Sequence, residues 1–262
     1  MRLLTPERFE DPVMASGYTL TIFERVASGR APATVSILPS ARHVGVTRRD
    51  TNRPGFREAV RTSNALGYPV LVRGAGGGAT AADRGTFGFS LTRPGDGGQG
   101  YGSGHRERYD EAAAFVLAAF ARLGVSAEVG EVRDEFCRGD HSVRIGGPEG
   151  MKVVGIAQRV TRRATSVGGI VLVEGDTELA GVLERVYGAM DLPFRPESVG
   201  SLRRAGYAVG VDDVVEAFAL EAEERYGAER APVGEEMLEE ARGAGRENLV
   251  VFGAEEGTVA RH

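Results

Sequence analysis

A thiol, an amine and a guanidinium beside consecutive glycines are the groups of this chain best suited to covalent chemistry. Cys137 is the only cysteine among 262 residues, and Lys152 is the only lysine among 32 basic side chains. A genome rich in arginine codons explains the bias, and a lone lysine within it asks for a reason. Cysteine is nucleophilic as its thiolate, and nearby cations lower the thiol pKa towards that form. Cys137 lies in GEVRDEFCRGDHSVRI, with Arg133 and Arg138 close in sequence. This segment alone leaves two readings level, a nucleophile and a small buried hydrophobe.

Lys152 opens MKVVGIAQRV after the glycine-rich turn at residues 146–150. A hairpin there returns Lys152 towards the segment before His141, where Cys137 sits. An ammonium so placed stabilises a thiolate and a developing oxyanion in acyl transfer. The competing reading is a surface lysine that escaped the arginine bias. His141 is the histidine near Cys137 and leaves a Cys/His pair open. His43, His105 and His141 are scattered without carboxylates at ligand spacing, so no metal site is expected.

The run from Gly74 to Ala79, GAGGGA, formally fits the G-x-G-x-x-G/A dinucleotide fingerprint after a predicted strand. That fingerprint needs a helix to begin among its glycines. Here Asp83-Arg84-Gly85 and another predicted strand follow, and there is no G-K-[ST] of a Walker loop. Gly76, Gly77 and Gly78 present no side-chain bulk, and Arg73 adds a fixed positive charge. The pattern suits backbone lying along a ligand with a phosphate or carbonyl end; a tight packed turn is the alternative.

The elements that must hold these groups follow from periodicity. Helices are predicted over 11–28, 56–66, 109–123, 177–190, 211–226 and 235–242, several ended by glycine. Strands are predicted over 33–38, 43–49, 68–73, 86–91, 125–132, 141–146, 151–160 and 168–175. The stretch RPGDGGQGYGSGHRER reads as a flexible loop. No repeat period is visible. Strands and helices mix without strict alternation, which predicts an α+β domain on a mixed, largely antiparallel sheet flanked by helices.

Composition narrows the function classes. A net charge of −5 disfavours nonspecific nucleic-acid binding. One cysteine excludes an intramolecular disulfide framework and a four-cysteine metal site, and a reducing, cytoplasmic setting fits best. The N-terminus lacks the apolar stretch of a signal peptide, and the longest apolar run, 112–121, is too short to span a bilayer. A single domain over 1–262 is expected, with a catalytic core at about 11–192. An acidic helical segment at about 196–243 and a tail from 244 to 262 complete it.

With these segments assembled, the chain resembles the lipoate-protein ligase A and biotin/lipoyl attachment superfamily over about residues 11–190. The resemblance rests on ERVASGRAPATVSI, VGVTRRDTNRPGF, LGYPVLVRGAGGGATAADRGTFGFSL and KVVGIAQRVTRRATSVGGIVLV. It implies a biotin/lipoate protein ligase-like fold. It also implies a substrate site at Arg73, Gly76, Gly77, Gly78 and Ala79, joined by Gly155 and Ala157 of the K-x-x-G-x-A/S-x-R strand. Lys152 would reach the acyl carbonyl. GEV…FCRGDHSVRI is most similar to the cysteine-dependent octanoyltransferases, which implies an acyl-thioester on Cys137. Arg138 stands where a proline is common, and GAGGGAT lacks the serine that often precedes the glycines.

The resemblance thus implies a monomeric acyltransferase that takes an octanoyl or lipoyl group from a donor without a cofactor. Its acceptors would be lipoyl-domain proteins, namely the glycine cleavage H protein and the E2 subunits of 2-oxoacid dehydrogenases. The alternatives are an ATP- and Mg-dependent ligase that forms an acyl-adenylate, with Cys137 structural, and a non-catalytic lipoyl-binding module.

Overall fold

The computed structural model describes residues 1–95 and 104–251. The middle of the predicted flexible loop and the end of the predicted tail lie outside the described residues. The elements in chain order are β1 (Arg2–Leu4), α1 (Pro12–Ala27), β2 (Thr34–Pro39), β3 (His43–Val46), α2 (Phe56–Ala65), β4 (Val70–Val72), β5 (Thr80–Ala82) and β6 (Thr86–Pro94). Then come α3 (His105–Ala121), β7 (Glu128–Val129), β8 (Val143–Ile145), β9 (Met151–Val160), β10 (Ala164–Leu172), α4 (Asp176–Ala189), α5 (Val211–Tyr226), β11 (Glu229–Arg230) and α6 (Glu235–Arg246).

An eight-stranded sheet runs β11-β1-β2-β6-β10-β9-β8-β7, and a second sheet runs β4-β3-β5. The pairs β1/β11, β1/β2 and β3/β4 are parallel and the others antiparallel. This is the α+β, mixed and largely antiparallel architecture expected from the sequence. Among the described residues no helix is long and apolar enough to cross a membrane.

Period-two alternation divides the large sheet into two faces. Phe87, Phe89 and Leu91 on β6 turn towards α3 and α5 and join Phe115, Phe120 and Phe218 in one core. Phe218 meets Phe87 edge-on, with centroids 5.0 Å apart at 88°, and Phe115 at 5.3 Å and 86°. Truncating such an aromatic to alanine costs about 3–5 kcal/mol. The opposite face carries Gly88 and Ser90 on β6, Gly168 and Ile170 on β10, and Gly155 and Ala157 on β9, aligned by register. These residues are mostly small, and they leave room beneath α1.

Helix α1 forms despite the β-prone YTLTIF because its ends are well made. Asp11 caps it by accepting from Val13 N–H at 2.9 Å, and Pro12 occupies the first turn. It packs closely on α6, since a Cβ on Gly17 would lie 1.8 Å from the Ala241 carbonyl oxygen. The chain after α6 then joins β4: Val72 N–H donates to Asn248 O at 2.8 Å, and Val250 N–H donates to Val70 O at 2.9 Å. Helix α6 runs on past its expected end at 242, and α3 begins at His105, four residues early. The strand expected over 125–132 shrinks to Glu128–Val129, and the chain turns at Arg133 and Asp134, the latter at φ +50°, into the loop that carries Cys137. The short strands β1, β5 and β11 escaped the sequence reading.

Candidate active site

Strands β8 and β9 form the hairpin expected from the sequence, with Arg144 opposite Lys152. Lys152 is fully buried, and its Nζ donates to Phe136 O at 2.8 Å, Cys137 O at 2.9 Å and Glu135 Oε1 at 3.0 Å. All three N–H bonds therefore hold the cysteine loop. Glu135, also fully buried, accepts in addition from Val132 N–H, Gly139 N–H and Ser142 Oγ. A buried ion pair persists only when its remaining lone pairs and protons are satisfied, as here.

The thiol lies against the glycine segment. Gly78 N–H and Arg73 Nη2 each donate to Cys137 Sγ at 3.3 Å, and the same Nη2 donates to Gly78 O at 2.7 Å. Burial opposes ionisation of Cys137, but the Arg73 guanidinium, the Lys152 ammonium and the Gly78 N–H outweigh it and hold the thiol below its usual pKa. The sequence neighbours Arg133 and Arg138 do not meet the thiol. Arg133 pairs with Glu149 at 3.1 Å and Arg138 with Glu131 at 2.6 Å, both at the surface. The cations at the thiol come instead from residues distant in sequence.

The backbone of Cys137 is pinned on both sides. Its φ of +44° places a non-glycine residue in the left-handed region. Its N–H donates to Tyr187 Oη at 2.7 Å, while its carbonyl accepts from Lys152. Tyr187 Oη donates onward to Ala79 O at 2.9 Å. Burial above all pushes the Tyr187 phenol up, so it stays a neutral hydroxyl. Gly77 has φ +105°, and a Cβ there would lie 2.4 Å from Cys137 Sγ. The strand expected over 86–91 is β6, the unexpected short strand β5 comes before it, and no helix begins among the glycines.

Cys137, Arg73, Gly155 and Ala157 border a cavity of about 290 Å³. Its floor is the small-residue face of the large sheet and its roof is α1, through Ala15, Ser16, Thr19 and Phe23. A side wall comes from the small sheet and from Asn248. The volume falls near the lower end of small-ligand pockets, about 300 Å³. Gly78 stands at the thiol through its N–H and Gly77 through its missing side chain, while Ala79 is fully buried and gives its carbonyl to Tyr187 Oη. Gly76 donates its N–H to Gln158 O at 3.4 Å.

His141 does not pair with Cys137. Its Nε2 bonds Asp110 Oδ1 at 2.9 Å and its ring stacks on Tyr109. His43 borders the cavity, and burial holds its imidazole below its usual pKa. Among the described residues no three His, Cys, Asp or Glu side chains gather as metal ligands. Sequence reasoning missed Glu135 and Tyr187. A lysine on a buried strand needs a carboxylate, which is a usable signal for Glu135; Tyr187, fifty residues past the cysteine, gives no local signal.

Residues 11–223 match the lipoyl protein ligase A/B catalytic domain. The chain belongs to that family. It is 27% identical over 205 residues to an octanoyl-[GcvH]:protein N-octanoyltransferase of Oceanobacillus iheyensis, covering 74% of this chain and 71% of that protein. It is 26% identical over 156 residues to a lipoyl-[GcvH]:protein N-lipoyltransferase of Listeria monocytogenes, covering 60% of this chain and 54% of that protein. Among solved structures it is similar to lipoate-protein ligase A bound with ATP, with a TM-score of 0.73 at 20% identity over 94% of each chain. That likeness shows that this family member shares the lipoate ligase fold.

Proposed function

We propose that this chain is an octanoyl or lipoyl transferase that carries the acyl group as a thioester on Cys137 and delivers it to a lysine of a lipoyl-domain protein. The observation that carries this reading is the Cys137 thiol held between Arg73 and the Gly78 N–H on the wall of an apolar cavity. The named activities of the curated relatives support it. The acceptors are lipoyl-domain proteins of the kind found in the glycine cleavage H protein and the E2 subunits of 2-oxoacid dehydrogenases.

From an acyl-lysine donor, the Cys137 thiolate attacks the amide carbonyl. The C–S bond forms, the C–N bond breaks, and the departing amine takes a proton. The acceptor amine then attacks the thioester, loses a proton and returns the thiolate. One amide replaces another, so the cycle needs no ATP. Arg73 and the Gly78 N–H, aimed at Sγ, are placed to receive charge that develops on the acyl oxygen. Lys152 acts behind them by fixing the loop and adding positive charge.

Incubating an apo lipoyl domain with octanoylated H protein, and separately with free octanoate, ATP and Mg, tests the assignment. Transfer from the H protein without ATP is expected. Modification only with octanoate and ATP, persisting in Cys137→Ser, would overturn the assignment in favour of a ligase.

A further inference from the structure

We infer that Tyr187 is the positioning residue of the thiolate: its hydroxyl ties the backbone of the nucleophile to the segment that supplies the N–H facing it. The inference rests on the reading of Cys137 as the nucleophile. Tyr187 lies on α4, and its ring is buried against Phe194, 5.0 Å between centroids. The hydroxyl accepts from Cys137 N–H at 2.7 Å and donates to Ala79 O at 2.9 Å. Ala79 is the next residue after Gly78, whose N–H meets Sγ at 3.3 Å.

Two loops that share no strand pairing therefore meet through one oxygen. The cysteine loop connects β7 to β8, and the glycine segment connects β4 to β5. Lys152 fixes the loop from the carbonyl side of Cys137, and Tyr187 fixes it from the amide side. A left-handed φ at a non-glycine residue persists only where its surroundings over-determine it, and these two bonds do so. Without the hydroxyl, Cys137 N–H and Ala79 O lose their shared partner. Sγ then drifts from the Gly78 N–H and Arg73, the two donors that favour its charged form.

Tyr187→Phe keeps the ring packing and removes only the bridge. The test measures the rate of Cys137 alkylation by iodoacetamide against pH, together with kcat and KM for octanoyl transfer. The alkylation midpoint is expected to rise, and kcat to fall roughly 100-fold with KM nearly unchanged, the scale of a misplaced reacting group. A Cβ at Gly78 would meet Tyr187 Oη at 3.3 Å before any atom of Cys137. Gly78→Ala should therefore raise the midpoint alone and add little to Tyr187→Phe.

An unchanged alkylation profile in a folded Tyr187→Phe protein would overturn the inference. If that variant does not fold, Gly78→Ala carries the test: a raised midpoint sustains the inference and a wild-type midpoint overturns it. Alkylation needs no acyl donor. Failure of the transferase reading, seen as a wild-type Cys137 that is never acylated, is thus distinguishable from failure of the tether.

Discussion

The Lys152 ammonium donates to the carbonyl of Cys137 itself, at 2.9 Å, and to Glu135 at 3.0 Å. The lone lysine is thus both a charge near the thiol and a strut of the loop that carries it. Removing one partner of a buried pair strands the other charge. Lys152→Met is expected to destabilise the fold by about 3–5 kcal/mol, and Lys152→Met with Glu135→Gln to recover part of that loss. Urea denaturation of the two variants checks it, and equal losses would count against the pair.

The thiol should titrate below the ordinary cysteine value of about 8.5. Its folded pKa is depressed, so the thiolate persists as pH falls and is lost only on passing below the lowered midpoint. The cause is the excess of Arg73, Lys152 and the Gly78 N–H over burial. Arg73→Met leaves burial opposed by less charge, so the iodoacetamide midpoint should move up. A midpoint that stays put would show that Arg73 does not govern the thiol.

Gly77 is open to a sharper substitution. An added methyl would lie 2.4 Å from Sγ, on a backbone already at φ +105°. Gly77→Ala should abolish acylation of Cys137 while a lipoyl-domain acceptor still binds. Intact mass after exposure to donor, beside an acceptor-binding measurement, checks both halves.

The floor of the cavity is where the proposed transferase would select chain length. Gly88 faces it, and a Cβ there meets nothing nearer than the Gly169 carbonyl oxygen at 3.7 Å. Gly88→Val should therefore fold and shorten the space for the tail. Each buried methylene contributes about 0.8 kcal/mol, so the wild type should favour octanoyl over hexanoyl roughly tenfold in kcat/KM. Gly88→Val should narrow or reverse that ratio, as competition between the two donors would show.

Much of this site was legible in the order of residues. The β8–β9 hairpin could be read from the turn at 146–150, and with it the meeting of Lys152 and the cysteine loop. The glycines before β5 announced a close backbone approach, which Gly77 makes to Sγ. What escaped depends on contacts between distant segments. Glu135 sits among other charged residues, Tyr187 lies within the helix predicted over 177–190, and the cations beside Cys137 in sequence proved to point elsewhere. Helix α1 could be predicted, but its role as the cavity roof arises only when the small-residue face of β6, β9 and β10 comes beneath it.

Intact-protein mass spectrometry after incubation with octanoylated H protein, without ATP, tests the proposed transfer most directly. A mass increase of one octanoyl group is expected, removed by hydroxylamine and absent in Cys137→Ser. An octanoyl adduct that survives Cys137→Ser, or transfer to a lipoyl domain at an undiminished rate by that variant, would contradict it.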